Sequence, residues 1–590
     1  MDGMKPHSEI SISASAFSSQ ATRGTAYARI KHEIEASEAV IREWKGHHNR
    51  LSLISRLPPE ILSIVFKCVA EAFETAEESE NHRWVGVSHV CKHWRQVALQ
   101  CPSLWSTIFS WHPRWTKEVL ARSQMSPLTV KATIQHPANG QYKIVNGEIT
   151  FTNQTSLLEV LQHLSRIRVL SILQIASARD LVSHILDKLD AAAPLLQTLI
   201  IVSHQNLGEY EYNVALPYAE LPATSFPHGA PLLRTLELRL CSLPWDSPLL
   251  TCDLTSLTLS RFPPDDQVSI QQIIAILCGL PNLETLELTL VIISSPSRAA
   301  IPAPPKLAHL PRLTSLHIEA DIFSCACLLS HMDYPVLIRN QVVWTCSSIL
   351  GTDFASTSSS FHELSRNLLK GLKGSISCLR ALGPIGFQVW DSLGEGRALP
   401  RGSAQIVVER SLYGNLPARI VRQAMTEMWS VLPLHNLKTL YIENLDMDRT
   451  VWAGRFASLQ SLENLCVRRA ASVQGLLDVL SGGTEDFGSG NAGDDCLAFR
   501  SLRHLMIIKW NLDDQDGSRP PQTCLGRLVE CLEERRKRGR VLHEIHIEHC
   551  VGVNSQAIGE LAEVVDKVDW DELRSFSAVS DVYGTSRAWI

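Results

Sequence analysis

His543, His546, His549 and Cys550 are the densest group of metal-ligand side chains in the sequence. A structural zinc site needs four such ligands converging on one point. Successive strand residues face opposite ways, so His543 and His546, three apart, diverge if the segment is a strand. The spacing predicts no metal centre. Cys325 and Cys327 lack a second pair and predict none either. Gly488-Ser489-Gly490-Asn491-Ala492-Gly493 spells Gly-x-Gly-x-x-Gly, but a dinucleotide loop must follow a strand and open a helix. Here the motif follows a helical stretch and lies in a Gly/Asp-rich loop. Arg535-Arg536-Lys537-Arg538-Gly539-Arg540 is a basic run. It reads first as a helix C-terminus, where cations offset the dipole and Gly539 caps; a nuclear import signal or a phosphate contact are the rival readings.

Catalytic signatures are missing as well. The sequence has no Gly-x-Ser-x-Gly, His-Glu-x-x-His or phosphate-loop motif. It predicts no catalytic residue, metal or cofactor, and turns the question toward binding. Lys+Arg is 55 against 61 Asp+Glu, a net charge of −6, which excludes a globally basic nucleic-acid binder. Hydrophobic residues make up 45%, enough for a large core, and 15 Cys are too few for a disulfide scaffold. No uncharged apolar run reaches the ~18 residues of a membrane span. The nearest, Val268 to Leu280, is interrupted by Ser269, Gln271 and Gln272. Met1 to Pro6 leads into a Ser-rich stretch, so no secretory signal is expected. Reduced thiols in the cytoplasm or nucleus follow, and the sequon Asn153-Gln154-Thr155 is expected to be unused.

The elements that must position any binding surface repeat. The pattern Leu-x-x-Leu-x-Leu, with Ile or Val substitutions, occurs ten times. Copies begin at Ile167, Leu196, Leu233, Leu254, Leu283 and Leu313, then at Leu437, Leu462, Leu502 and Leu542. Two copies extend to a Cys, at Cys241 and Cys550. The last two apolar residues of each copy alternate onto one side of a strand. Helical stretches lie between copies, at 177–190, 268–280, 416–430 and 524–538. Strand, turn and helix in repetition predict an irregular leucine-rich-repeat solenoid over 113–590, with a parallel sheet on its inner face. Residues 128–150 are expected to open that sheet. Residues 319–434 lack a clean copy and read as degenerate repeats, with strands at 386–390 and 405–408 and helices at 361–380 and 416–430; a break between two solenoid halves is the alternative. Residues 481–495 read as a mobile loop.

Upstream, residues 1–24 are Ser/Ala/Thr-rich and read as disordered. Ile30, Ile34, Ile41 and Trp44 then mark one stripe of an amphipathic helix over 25–52, which suits a partner helix or, more ordinarily, the next domain. Residues 53–112 form a small all-α unit. A proline-headed helix carries Ile61, Leu62, Ile64, Val65, Phe66, Cys68 and Val69. A second helix is expected through Trp84, Val87, Val90, Cys91, Trp94 and Val97. So small a unit carries surplus apolar surface, which implies a partner.

Leu57-Pro58-Pro59-Glu60-Ile61-Leu62, then Val87-Ser88-His89-Val90-Cys91-Lys92-His93-Trp94-Arg95, then Pro102-Ser103-Leu104-Trp105 together resemble the F-box, in the form found in fungal F-box domain proteins. The acidic insert at 71–82 is the departure from its pattern. The resemblance implies a substrate-recognition subunit of a Skp–cullin–F-box ubiquitin ligase. The F-box would dock on a Skp adaptor, and through it a cullin, by way of Leu57, Pro58, Ile61, Leu62, Val65, Val87, Val90, Cys91 and Trp94. The repeats would hold an unknown protein substrate, with no nucleic acid or membrane as partner. Rival readings are a Skp-binding scaffold without degradation and an enzyme with a site in 319–434. Register places the substrate face at positions pointing away from the core: Glu237, Arg239, Glu287, Thr289, His317, Glu319, Tyr441, Glu443, Cys466, Arg468, His546 and Glu548. Five Glu against two Arg predict a basic or polar segment of substrate.

Overall fold

Proline at the head of an apolar run sets the first fixed point of the fold. Pro59 has no amide hydrogen to lose in a first helical turn, and helix α2 begins there (Pro59–Glu74), after helix α1 (Gln20–Leu51). These elements come from a computed structural model that describes residues 20–74, 83–109, 113–135, 142–145, 148–175, 184–203, 218–295, 298–302, 306–335, 339–345, 354–369, 376–382, 386–390, 406–410, 426, 429–430, 432–445, 447, 449–469, 474–481, 498–512 and 523–571. The Gly488 motif and the loop 481–495 beyond Ser481 lie outside them, as do most of 416–430 and the start of 177–190. Helix α1 reaches back to Gln20, so the disorder expected to residue 24 is too long by its last five residues. The stripe on α1 is not buried on a neighbour: Ile34, Ile41 and Trp44 are all more than half exposed.

The chain divides into two compact units, 1–130 and 131–590. The first runs past the expected boundary at 112 because helix α4 (Pro113–Ser123) packs on what precedes it. Trp115 lies 6.0 Å from the Trp105 ring, and the Arg122 guanidinium sits 4.3 Å above that ring. The second helix of the sequence reading is broken. Residues Arg83–His89 form a 3-10 helix, and helix α3 spans Lys92–Leu99. Between them Cys91 turns extended (φ −158°, ψ 170°), and its Sγ accepts from the Trp94 amide as an N-cap. Gly86 in the 3-10 segment is a poor helix former, and Ser88 Oγ donates to the Val85 carbonyl, which favours a turn over a continuous helix.

The second unit is a mixed α/β body with a largely parallel sheet. Its strands run in the order Ile167–Ile175, Thr198–Val202, Thr235–Arg239, Ser256–Ser260, Thr285–Thr289, Ser315–Asp321 and Arg339–Thr345. Then come Ile406–Arg410, Gly386–Trp390 and Cys378–Leu382, and finally Thr439–Glu443, Asn464–Arg468, His504–Ile508, Glu544–Glu548 and Lys567–Trp570. Leu170, Leu199, Leu236, Leu257, Leu286 and Leu316 share one register, and Leu379, Leu440, Leu465, Leu505 and Ile545 another. All of these side chains are buried. The residues two positions on, such as Leu238, Leu259 and Ile442, are buried on the same side.

Residues 319–434 depart from the expected pattern. The middle strand, Gly386–Trp390, is antiparallel to both neighbours, and the chain doubles back through it. Helix Phe354–Leu369 stands where 361–380 was expected helical, and Cys378–Leu382 is a strand instead. Helix Ile322–Ser330 was not foreseen, because it is apolar all round and shows no amphipathic period. The buried carboxylate of Asp321 starts it by accepting from the Phe323 and Ser324 amides. Of the 128–150 stretch, Leu128–Gln135 joins the large sheet as expected, whereas Tyr142–Val145 and Glu148–Phe151 pair antiparallel with each other.

Candidate functional site

Helix α2 carries two apolar stripes. Leu62 and Phe66, four apart, are fully buried. Phe66 meets the Trp94 ring at 5.1 Å, which fastens α2 to α3. The second stripe, Ile61, Ile64, Val65 and Cys68, follows the same helical spacing on another side and is exposed, with Ile64 at 55%. Ile54 and Val90 add exposed apolar surface in the same unit. A buried aromatic knot holds the unit together. Trp105 is fully buried, donates its Nε1–H to the Ala98 carbonyl at 2.8 Å, and meets the Trp84 ring edge-on at 5.1 Å.

The sequence-derived docking residues divide accordingly. Pro58, Ile61, Val65 and Val90 are exposed, and Leu57, Val87, Cys91 and Trp94 are half-buried. Leu62 is a correction: it belongs to the core, because the i, i+4 partner of Phe66 must face α3. Ile64, exposed on the same stripe as Ile61, is absent from the sequence-derived set. The signal for it was its position three after Ile61 on the uncovered stripe.

Residues 54–110 match the F-box-like family. This F-box-like domain contains both stripes of α2, the Cys91 cap and Trp105. The match ends at residue 110, and no curated protein matches the chain.

The second candidate surface is the sheet face opposite the buried leucine ladders. There Glu237, Thr258, Glu287 and His317 stand in one register, and Arg239, Ser260, Thr289 and Glu319 in the next. Arg239 donates to Glu287 through both terminal nitrogens, at 2.8 and 3.1 Å, and to Glu237 through Nε at 2.6 Å. Burial opposes its charge, but the two carboxylates outweigh that and raise its pKa. Burial raises the Glu319 carboxyl against the pull of Arg261. Farther along, Arg380 (2.5 Å) and Arg468 (3.3 Å) both donate to Glu443. Part of the excess of Glu over Arg counted on this face is therefore offset within the sheet. Arg239, Arg380 and Arg468 neutralise Glu237, Glu287 and Glu443 within the sheet, and Thr289 and Cys466 are buried beneath their neighbours. Arg380 lies on a strand without a clean repeat copy, which is why its charge was left out.

A shallow, open recess indents this face beside Tyr441, Cys466 and Met506, with His504, Glu544 and His546 at its margin. Burial raises the Tyr441 phenol and pushes the Cys466 thiol up to about 12. The face brings Tyr441, Cys466, Glu443, Arg468, His546 and Glu548 together along neighbouring strands; Glu237, Arg239, Glu287, His317 and Glu319 stand on the earlier strands of the same sheet.

The three histidines each meet a carboxylate in or beside the strand Lys567–Trp570. His543 Nδ1 lies 3.1 Å from Asp566, His546 Nδ1 2.9 Å from Asp569 and His549 Nδ1 2.8 Å from Asp571. The Glu548 carboxylate, 3.5 Å from Nε2, is the largest influence raising the His546 pKa; burial opposes it and Asp569 adds to it. Cys550 is buried and donates to the Ile507 carbonyl. Among the described residues no cluster is arranged to hold a metal ion. In the basic run, Arg535 is buried at the end of helix Cys524–Lys537 and donates to the carbonyls of Ala498 and Phe499, at 2.7 and 2.8 Å. Burial lowers its pKa to about 10. Gly539 takes a positive φ of 69° just past the helix. Among the described residues no helix is long and apolar enough to cross a membrane.

Proposed function

We propose that the protein is a substrate-recognition subunit of a Skp–cullin–F-box ubiquitin ligase. The observation that carries this reading is the uncovered stripe Ile61, Ile64, Val65 and Cys68, on a helix inside a matched F-box-like domain. An apolar stripe at helical spacing is energetically at home only against another protein. In this reading a Skp adaptor covers it and links the chain to a cullin. The second unit is a leucine-rich-repeat-like array whose open sheet face holds the substrate. The protein catalyses nothing itself. It raises the local concentration of substrate lysines near a charged ubiquitin-conjugating enzyme.

The test is co-purification of the full chain with a Skp adaptor and cullin. Ile61→Ala with Ile64→Ala and Val65→Ala should weaken adaptor capture by a hundredfold or so, since exposed anchors often contribute ~1–2 kcal/mol each at a hot spot. The thermal transition should be unchanged. Undiminished capture by the triple variant would remove the reading.

A further inference from the structure

The second half of the open sheet face is polar at both ends and apolar between them. Register sets Arg380, Tyr441, Cys466, Met506, His546 and Asp569 in one row across successive strands. Over the first three strands two guanidiniums, Arg380 on the first and Arg468 beside Cys466 on the third, share the single carboxylate of Glu443, which leaves a cation in excess on that side. At the far end Lys567 pairs with Glu544, while Glu548, Asp569 and Asp571 gather around His546 and His549. Three carboxylates stand there against two imidazoles, so that end is anionic. The recess between them is floored by a phenol ring, a thiol and a thioether.

We propose that this row receives an extended peptide segment of about seven residues, with a carboxylate at one end, one large apolar side chain at its middle and a cation at the other. The inference rests on the substrate-recognition reading and narrows its substrate to that class. The length follows from geometry: five inter-strand steps of ~4.8 Å from Arg380 to Asp569 span ~24 Å, which an extended chain covers at ~3.3 Å per residue. The chemistry follows from complementarity. The guanidinium end takes a carboxylate and repels a cation, and the carboxylate end does the reverse, so the charges fix direction and register. The recess takes the apolar side chain as an anchor. A second copy of this chain laid face to face would set recess over recess and fill neither.

The experiment uses the full chain and labelled heptapeptides, with binding read by fluorescence anisotropy at two salt concentrations. Asp-Ser-Ser-Phe-Ser-Ser-Lys and its reverse order are compared with versions ending in two Lys, ending in two Asp, or carrying Ala for the central Phe. One order of the mixed-charge peptide should bind at least tenfold more tightly than the other four, and more weakly at high salt. Arg468→Glu should reverse the ranking in favour of the two-Lys peptide. Should that variant fail to fold, a benzophenone at the central position of the mixed peptide still reports on the native chain, by crosslinking to Met506 or Tyr441. Equal binding of all peptides, a crosslink on the helical side of the sheet, or a concentration-dependent dimer broken by Arg468→Glu would overturn the inference. If the adaptor co-purifies and the peptides are not distinguished, this inference fails and the ligase reading stands. If the peptides are distinguished and no adaptor is captured, the ligase reading fails and the face keeps its specificity.

Discussion

Single side chains in the F-box-like domain divide sharply between core and exposed surface. Trp105 fills the centre of its unit and satisfies its own indole N–H. Trp105→Ala should therefore cost ~3–5 kcal/mol, from lost burial and the cavity left behind. Ile64→Ala, at an exposed position, should stay within ~0.5 kcal/mol of the parent. Urea unfolding of the two variants checks the contrast; equal losses would show that Ile64 is packed. A second residue-scale test concerns pH. The His546 pKa is raised in the folded state by Glu548 and Asp569, with burial opposing. Its protonated form is thus favoured by folding, so its stabilisation is complete below the ordinary histidine value near 6.5 and is lost as pH rises through the folded value. Amide exchange in Lys567–Trp570 should be slower at pH 6 than at pH 8, after correction for intrinsic rates. His546→Gln should shrink that difference, and an unchanged difference would assign it elsewhere.

Seven strands of the large sheet end on the same backbone event. Leu240, Arg261, Leu290, Asn444, Arg469, Lys509 and His549 directly follow their strands, and all have a positive φ between 52° and 57°. The amide of such a residue donates to a carbonyl one strand over, as Asn444 does to Arg468 at 3.0 Å. A Cβ in this region is strained, and a β-branched one strongly so. Asn444→Gly should leave stability within ~0.5 kcal/mol, whereas Asn444→Val should cost ~1–2 kcal/mol. Thermal denaturation of the pair decides it; equal melting would mean the turn relaxes. This regularity was not legible in the sequence, because none of these positions is Gly. What was legible was the leucine ladder, since period-two apolar positions must share a side of a strand. The broken helix at Cys91 was hidden because Trp84, Val87, Val90, Cys91 and Trp94 also satisfy a helical period. Of the candidate surfaces, the exposed stripe was legible from the apolar surplus on α2. The charge balance of the sheet face was not, because Arg380 enters it from a strand without the repeat motif.

At the scale of the whole second unit, hydrogen-bonded register runs unbroken from Ile167–Ile175 to Lys567–Trp570 by way of the antiparallel strand Gly386–Trp390. If that joint transmits stability as an ordinary strand pair does, damage on one side is felt on the other. Leu440→Ala removes a fully buried side chain next to the joint and should cost ~2–5 kcal/mol. Amide exchange should then quicken both in His504–Ile508 and in Ser315–Asp321. Quickening confined to the later strand would show two halves that open independently.

The doubled-back strand order also governs how the chain comes off the ribosome. The neighbour of Arg339–Thr345 in the sheet is Ile406–Arg410, and about sixty residues separate them in the chain. At ~5–20 residues per second, synthesis leaves the edge of Arg339–Thr345 without its partner for ~3–12 s. Throughout that interval the nascent sheet presents open backbone donors and acceptors to any other strand nearby. Cys378–Leu382 and Gly386–Trp390 emerge first and are mutual partners, so a hairpin can wait in readiness while the closing strand is made. Translation rate over residues 346–410 is thus the step at which this protein's yield of folded chain is most exposed to misassembly.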